Sequence, residues 1–331
     1  MGGRRTNLAL LGLLVAAFLT GWIAFSFSSW PSRVSLVVHG VAGLAIIGLL
    51  PWKSMLSRRA VLRRGGAGLW LGGVLALLLL VSLVFGLFHS GGLPDLWTTP
   101  VLTAVPVLRD LTAIDLHVGA AIAVVPFAVW HVVVRPVRAR RVDLSKRALL
   151  RLGLLVGASA MGIALLPAGK RALTGSYRLD SLPATSWMFD AAPQTRLESW
   201  SLLAGTRGWT YPELASFGDR VTAVIDCTGG WYSEQEWEGV FLSRLLPPSQ
   251  LAGALSVSVR SATGYPRRFD LADLPRLLLA TRVGGAQLAP GNGHPVRLVA
   301  PGMRGFWWVK WVVELRPEPV PWWFQSPYPL Q

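Results

Sequence analysis

The sequence predicts two joined architectures: an all-α bundle of five membrane-crossing helices, then an α+β domain. Three observations predict this. Hydrophobic residues make up 52% of the 331 and charged residues 15%, far from the balance of a soluble protein. The apolar residues are gathered, since 7–29, 34–51, 67–88 and 152–168 hold no charged residue and 111–134 holds only Asp115. Each stretch approaches the ~20 residues a helix needs to cross ~30 Å of hydrocarbon, with 152–168 the shortest. Finally, hydrophobicity falls abruptly after Lys170, and from Ser186 onward short β-like runs alternate with Gly and Pro.

Charge sets the orientation of the helices. The formal net charge is +15, but the basic residues fall in blocks between apolar stretches, which is a membrane-topology pattern and not a nucleic-acid footprint. Arg4 and Arg5 precede the first span, Lys53, Arg58, Arg59, Arg63 and Arg64 follow the second, and seven Lys and Arg lie between Arg135 and Arg151. Loops 30–33 and 89–110 carry only Arg33 and Arg109. The N-terminus is therefore expected on the cytoplasmic side of the cell membrane, with everything after about Pro167 outside it. No nucleic-acid partner is expected, and the bilayer is. The apolar loop 89–110, interrupted by Pro94, Pro100 and Pro106, reads as an interfacial floor beneath the external domain.

The expected divisions are 1–169 for the five-span unit, 170–185 for a polar linker and 186–331 for the external domain. No internal repeat is legible. Strands are expected at Arg196–Leu202, Arg220–Cys227, Gly253–Ser258, Val296–Val299 and Trp307–Leu315. Short helices are expected at Tyr211–Ser216, Val240–Leu246 and Leu271–Thr281. A single cysteine forms no intramolecular disulfide, so the lone thiol needs another explanation.

Two blocks of the domain carry chemistry. In Val224-Ile225-Asp226-Cys227-Thr228-Gly229-Gly230-Trp231 a strand delivers the cysteine to a glycine turn, where a soft thiolate suits a metal with a sulfur-rich shell. A buried structural cysteine is the competing reading. In Asn292-Gly293-His294-Pro295-Val296-Arg297, continuing to Arg304-Gly305-Phe306-Trp307-Trp308-Val309-Lys310, glycines expose backbone N–H groups beside Arg297 and Lys310. That is a cradle for a phosphorylated cofactor, or else a solvated basic loop.

In this order and spacing the two blocks resemble the oxidoreductase molybdopterin-binding domain of sulfite oxidases and periplasmic methionine sulfoxide reductase catalytic subunits. The resemblance covers about 130 residues and implies a sulfite-oxidase-type α+β fold with a molybdenum–molybdopterin cofactor. It assigns Cys227 as the molybdenum ligand, Asn292 and Arg297 to the pterin, and Gly305, Phe306, Val309 and Lys310 to the segment holding its phosphate end. It further implies oxygen-atom transfer, as sulfite-type oxidation or as reduction of a small-molecule or protein sulfoxide. A cation near the metal would favour an oxyanion substrate, with Arg304 and Arg260 as candidates. The family's N-terminal pterin-contacting segment has no recognisable counterpart here.

Histidines carry a second signal, because His39, His117 and His131 fall within spans, where ionisable residues point to function. His39 and His117 lie at matched depth near the outer face and are expected to ligate one b-type haem. Gly40, Gly43, Gly119, Ala120 and Ala121 provide small surfaces beside them. His131 follows His117 by fourteen residues, on the same face and ~21 Å deeper, a spacing that resembles the two-haem helices of b-type cytochromes. No second histidine faces it. Interhelical hydrogen bonding in a plain anchor is the alternative, and His89 is a rival ligand. A quinone or a cytochrome would be the electron partner. Ser145-Lys146-Arg147 before the fifth span resembles a twin-arginine export signal. The competing class is a cofactor-free, degenerate binding module on a passive anchor.

Overall fold

The computed structural model describes residues 3–64, 69–90, 112–165, 171–184 and 191–326. It resolves into two compact units that divide between Gly175 and Ser176. Almost all of loop 89–110 lies outside the described residues.

The first unit contains five helices long and apolar enough to cross a membrane. They are α1 (Gly3–Ser26), α2 (Trp30–Arg64), α3 (Leu69–Ser90), α4 (Ala113–Val134) and α5 (Lys146–Ala164). Each overlaps an expected span. α2 runs past its apolar stretch through the basic block to Arg64, since Lys and Arg are good helix formers at a membrane edge. Thr112 opens α4 with a reciprocal capping box to Asp115, which gives the one acidic residue of that stretch a local use. α1 packs along α2 and α3 along α4, while α5 lies against α2. Gly40 admits Ile163 of α5, since a Cβ there would come within 2.8 Å of that side chain. It therefore serves helix packing.

The second unit is built on two sheets. The first joins β1 (Tyr177–Arg178), β5 (Trp231–Phe241), β8 (Leu278–Val283) and β10 (Arg297–Val299) in that order, with β4 (Asp219–Asp226) added to β5 and β9 (Ala286–Gln287) to β8. The second has the order β3 (Arg207–Thr210), β2 (Ser201–Ala204), β11 (Val312–Glu318), β6 (Ser256–Ser261), β7 (Pro266–Asp270). Their inner faces bury Leu202, Trp237, Val240, Val257, Val259, Leu279 and Val312 in one core. Two short helices, α6 (Tyr211–Ala215) and α7 (Leu242–Leu245), cover it.

One expectation fails here for a physical reason, and two features lie outside the sequence reading. Leu271–Thr281 forms a single 3-10 turn at Leu271–Asp273 and then strand β8, because its leucines are buried in continuous sequence as a central strand requires. Trp231–Phe241 is an eleven-residue strand that the polar run Glu234, Gln235 and Glu236 disguises. The linker is no mere spacer, because Tyr177 and Arg178 pair in parallel with Trp231 and Tyr232.

Candidate functional site

β4 and β5 form an antiparallel hairpin in register from Asp219–Gly239 to Asp226–Tyr232, and Cys227 sits where it turns. The Cys227 N–H donates to the Trp231 carbonyl at 2.8 Å, and the Gly230 N–H donates to the Cys227 carbonyl at 3.1 Å. Gly230 takes φ 83°, the left-handed conformation that a three-residue hairpin loop assigns to glycine. The turn holds the thiol half-exposed, with the Gly229 N–H donating towards Sγ at 3.4 Å. A sulfur at the tip of a rigid hairpin, with an N–H directed at it, is suited to bind as thiolate.

Behind this turn lies a buried ion pair. Arg304 is 4% exposed and its guanidinium bonds to the Asp226 carboxylate, which also accepts from the Ser176 hydroxyl at 2.6 Å. The backbones of Asp226 and Arg304 form a parallel bridge, and a Cβ on Gly305 would lie 3.0 Å from the Cys227 Cα. Arg304 thus clamps the 304–310 segment against the cysteine turn. Its charge is answered by Asp226. Arg260 lies on β6, paired with Glu314 on β11.

The second block closes from the other side. Gly293, at φ 105°, leaves no room for a Cβ, which would meet Arg297 at 2.9 Å and Lys310 at 3.3 Å. Arg297 is 2% exposed, lies over the rings of Trp237 and Trp308, and donates from Nη1 to the Asn292 carbonyl at 3.1 Å. Burial pulls its pKa down to about 10, partly offset by the electrostatic reach of Cys227. The two blocks, some seventy residues apart in sequence, therefore meet around one locus. Lys310 donates to the Gly291 carbonyl at 2.6 Å. Val309 and Phe306 are buried, with the Val309 carbonyl accepting from Leu298 N–H, so both shape the segment from the core side.

Several buried polar atoms here lack a hydrogen-bond partner among the described residues: Asn292 Oδ1, His294 Nδ1 and Arg297 Nε. A buried orphan costs ~1–3 kcal/mol, and three within six residues mark a surface built for a polar ligand. Together with a soft thiolate, this donor and acceptor set fits a molybdenum–pterin cofactor. Two further contributors lie here: His294, which the sequence leaves as either a solvated or a functional imidazole, and segment 176–184, which it reads as part of a linker. His294, whose ring lies 5.9 Å from Tyr211, is pushed below the ordinary histidine range by burial. Segment 176–184 also closes on the site: Ser176 bonds Asp226, the Leu182 carbonyl accepts from Asn292 Nδ2 at 3.4 Å, and a Cβ on Gly291 would strike Ala184. The short polar run gave no periodic signal.

In the helical unit the His39 and His117 rings meet edge to face, 5.6 Å between centroids. Each turns Nδ1 onto a carbonyl of its partner helix at 2.7 Å, His39 onto Ala17 of α1 and His117 onto Ser82 of α3. Four residues further along those helices, Gly21 and Gly86 accommodate the imidazoles, since a Cβ on either would come within 2.8 Å of the ring. Donation from Nδ1 to a carbonyl fixes the tautomer and leaves Nε2 as the unprotonated ring nitrogen. The two imidazoles thus meet at one place between the helix pairs. His89 ends α3, and its carbonyl accepts from Arg171.

Residues 188–321 match the family model described as the oxidoreductase molybdopterin binding domain. The second unit is a molybdopterin-binding oxidoreductase domain of the sulfite oxidase type. The chain is 32% identical over 110 residues to the protein-methionine-sulfoxide reductase catalytic subunits MsrP of Xanthomonas campestris pv. campestris and Xanthomonas axonopodis pv. citri. The matched stretch is 28% of this chain and 34% of each relative, so the chain spans about a third of their length. It is also similar to the sulfane dehydrogenase SoxCD from Paracoccus pantotrophus at 25% identity and a TM-score of 0.36, over 39% of this chain and 40% of that one.

Proposed function

We propose that the chain is a membrane-anchored oxygen-atom-transfer enzyme that reduces a sulfoxide outside the cytoplasm, using electrons delivered through its helical unit. The observation that carries this reading is the close packing of the Cys227 turn on the Arg304–Lys310 segment, where a Cβ on Gly305 would lie 3.0 Å from the Cys227 Cα, together with the unsatisfied polar atoms of Asn292, His294 and Arg297. Asn292, Arg297 and Lys310 would hold the pterin and its phosphate, the cations by charge-assisted hydrogen bonds. Cys227 would ligate the metal, and Arg304 with Asp226 would keep the thiolate aimed. When bound, the molybdenum centre supplies two-electron oxygen-atom chemistry. The balance is a sulfoxide plus two protons and two electrons giving a sulfide and water. The MsrP relatives are named for methionine sulfoxide, which favours reduction over sulfite oxidation and makes small-molecule and protein sulfoxides the first substrates to try.

His39 and His117 would hold a b-type haem near the outer face, from which electrons pass singly. By the positive-inside rule the basic blocks would put the N-terminus in the cytoplasm, and Lys146-Arg147 would direct export of the folded domain. The test is purified full-length protein assayed for molybdenum, for an optical spectrum and for sulfoxide reduction with a reduced dye. Stoichiometric molybdenum with turnover is expected; a metal-free protein would leave a degenerate domain on a passive anchor. A sharp reduced α-band that disappears in His39→Ala or His117→Ala and survives His131→Ala is the expected haem signature.

A further inference from the structure

The helical unit holds a repeat that the sequence conceals. His39 with Gly21 on α2 and α1, and His117 with Gly86 on α4 and α3, are the same arrangement built twice. A step of fourteen residues inward on each helix keeps the same face and descends ~21 Å. From His39 and Gly21 that step lands on Lys53 and Asn7, whose side chains bond at 3.0 Å. From His117 and Gly86 it lands on His131 and Gly72, where a Cβ would meet nothing within 4 Å. The inner counterpart of the histidine pair is therefore a lysine and a histidine.

This inner pair has a distinct chemistry. Lys53 and Arg135 lie within electrostatic reach of His131, whose Nδ1 is buried without a partner among the described residues. The acidic residue at that end, Asp143, is already held by Arg4 and Arg5. The cluster is rich in donors and needs an acceptor. An ammonium carries three donors, so Lys53 can keep Asn7 and still donate to a ligand oxygen, whereas coordinating a metal would require it to give up its charge. Trp52, Trp70 and Trp130 are largely exposed at this level, as aromatic residues are at a membrane–water boundary. A ligand with a polar head and an apolar tail would enter there.

We propose that Lys53 and His131 form a binding site for the ring oxygens of a membrane-soluble quinol or quinone, the reductant of the helical unit. This rests on the electron-carrying reading above. Oxidation of the quinol to the quinone releases two electrons, which a haem held by His39 and His117 would accept singly, and two protons. His131 takes one hydroxyl proton, and the second passes to water at the basic face.

The test is calorimetric binding of decyl-substituted ubiquinone to the full-length protein in detergent, which reads the inner site whether or not haem is loaded. Lys53→Met and His131→Phe should each weaken binding about tenfold, Lys53→Arg should restore most of it, and His39→Phe should leave it unchanged. Unaltered affinity in both inner variants overturns the proposal. So does complete displacement by phosphatidylglycerol, which would make this an anionic-lipid site, or a second haem band lost in His131→Phe, which would make it a metal site. Absence of haem with quinone binding intact would remove only the haem reading.

Discussion

The two units solve the problem of a buried polar group in opposite ways. In the helical unit the outer imidazoles are satisfied by the chain itself, Nδ1 to a carbonyl on each, before any ligand arrives. In the second unit Asn292, His294 and Arg297 keep buried atoms unpaired among the described residues. The first strategy fixes ligand direction at low energetic cost; the second stores a deficit that a bound cofactor relieves. The helical site should therefore tolerate loss of its ligand, while the second unit should gain stability on loading.

The comparison can be broken most severely at Cys227. Cys227→Ser should bring sulfoxide reduction to background while pterin stays bound, because a hard alkoxide replaces a soft thiolate and the pterin contacts lie in the other block. Sulfoxide turnover and extracted pterin content measure the two halves of that statement. Next in size is Arg304→Ala, which strands a buried Asp226 and should lower unfolding stability by about 3–5 kcal/mol, read by denaturant titration of the loaded protein. Arg297→Ala and Lys310→Ala should instead act on occupancy, lowering molybdenum per protein about tenfold through lost charge-assisted bonds, with Arg304→Ala lowering it less. Equal metal content in the three would erase the distinction between holding and positioning.

In the helical unit, Gly86→Val and Gly21→Val should push His117 and His39 off their carbonyls and convert a low-spin haem spectrum to high-spin, with the helices still formed by circular dichroism. The smallest effect is a pH slope. His294 lies below its ordinary range in the fold, so the unfolded chain binds more protons between the two values and stability rises with pH there. The cofactor-free protein should lose stability as pH falls through the ordinary histidine range, and His294→Gln should flatten that slope in thermal melts.

Apolar run length made the helices legible, since five spans need only composition and charge to be found. The cysteine turn and the Asn292–Lys310 block were legible because glycine and the special residues around it sit at fixed offsets. What stayed hidden depended on partners distant in sequence. Arg304 reads as a cation for an oxyanion until Asp226 is seen beside it, and most of β5 carries no strand signal until β4 and β8 flank it. The paired helices escaped notice because Lys53 stands where a repeat search expects a histidine. Ala17 contributes only its backbone carbonyl, which no side-chain pattern reports.

The parallel pairing of Tyr177–Arg178 with Trp231–Tyr232 bears on how the second unit can be handled in isolation. A fragment cut at Ser186 would expose that side of β5 as an unprotected edge, ready to recruit the same edge of another molecule, and would remove the Ser176 hydroxyl from Asp226. Such a fragment should aggregate on expression, whereas one beginning at Arg171 carries its own edge cover and should remain monodisperse.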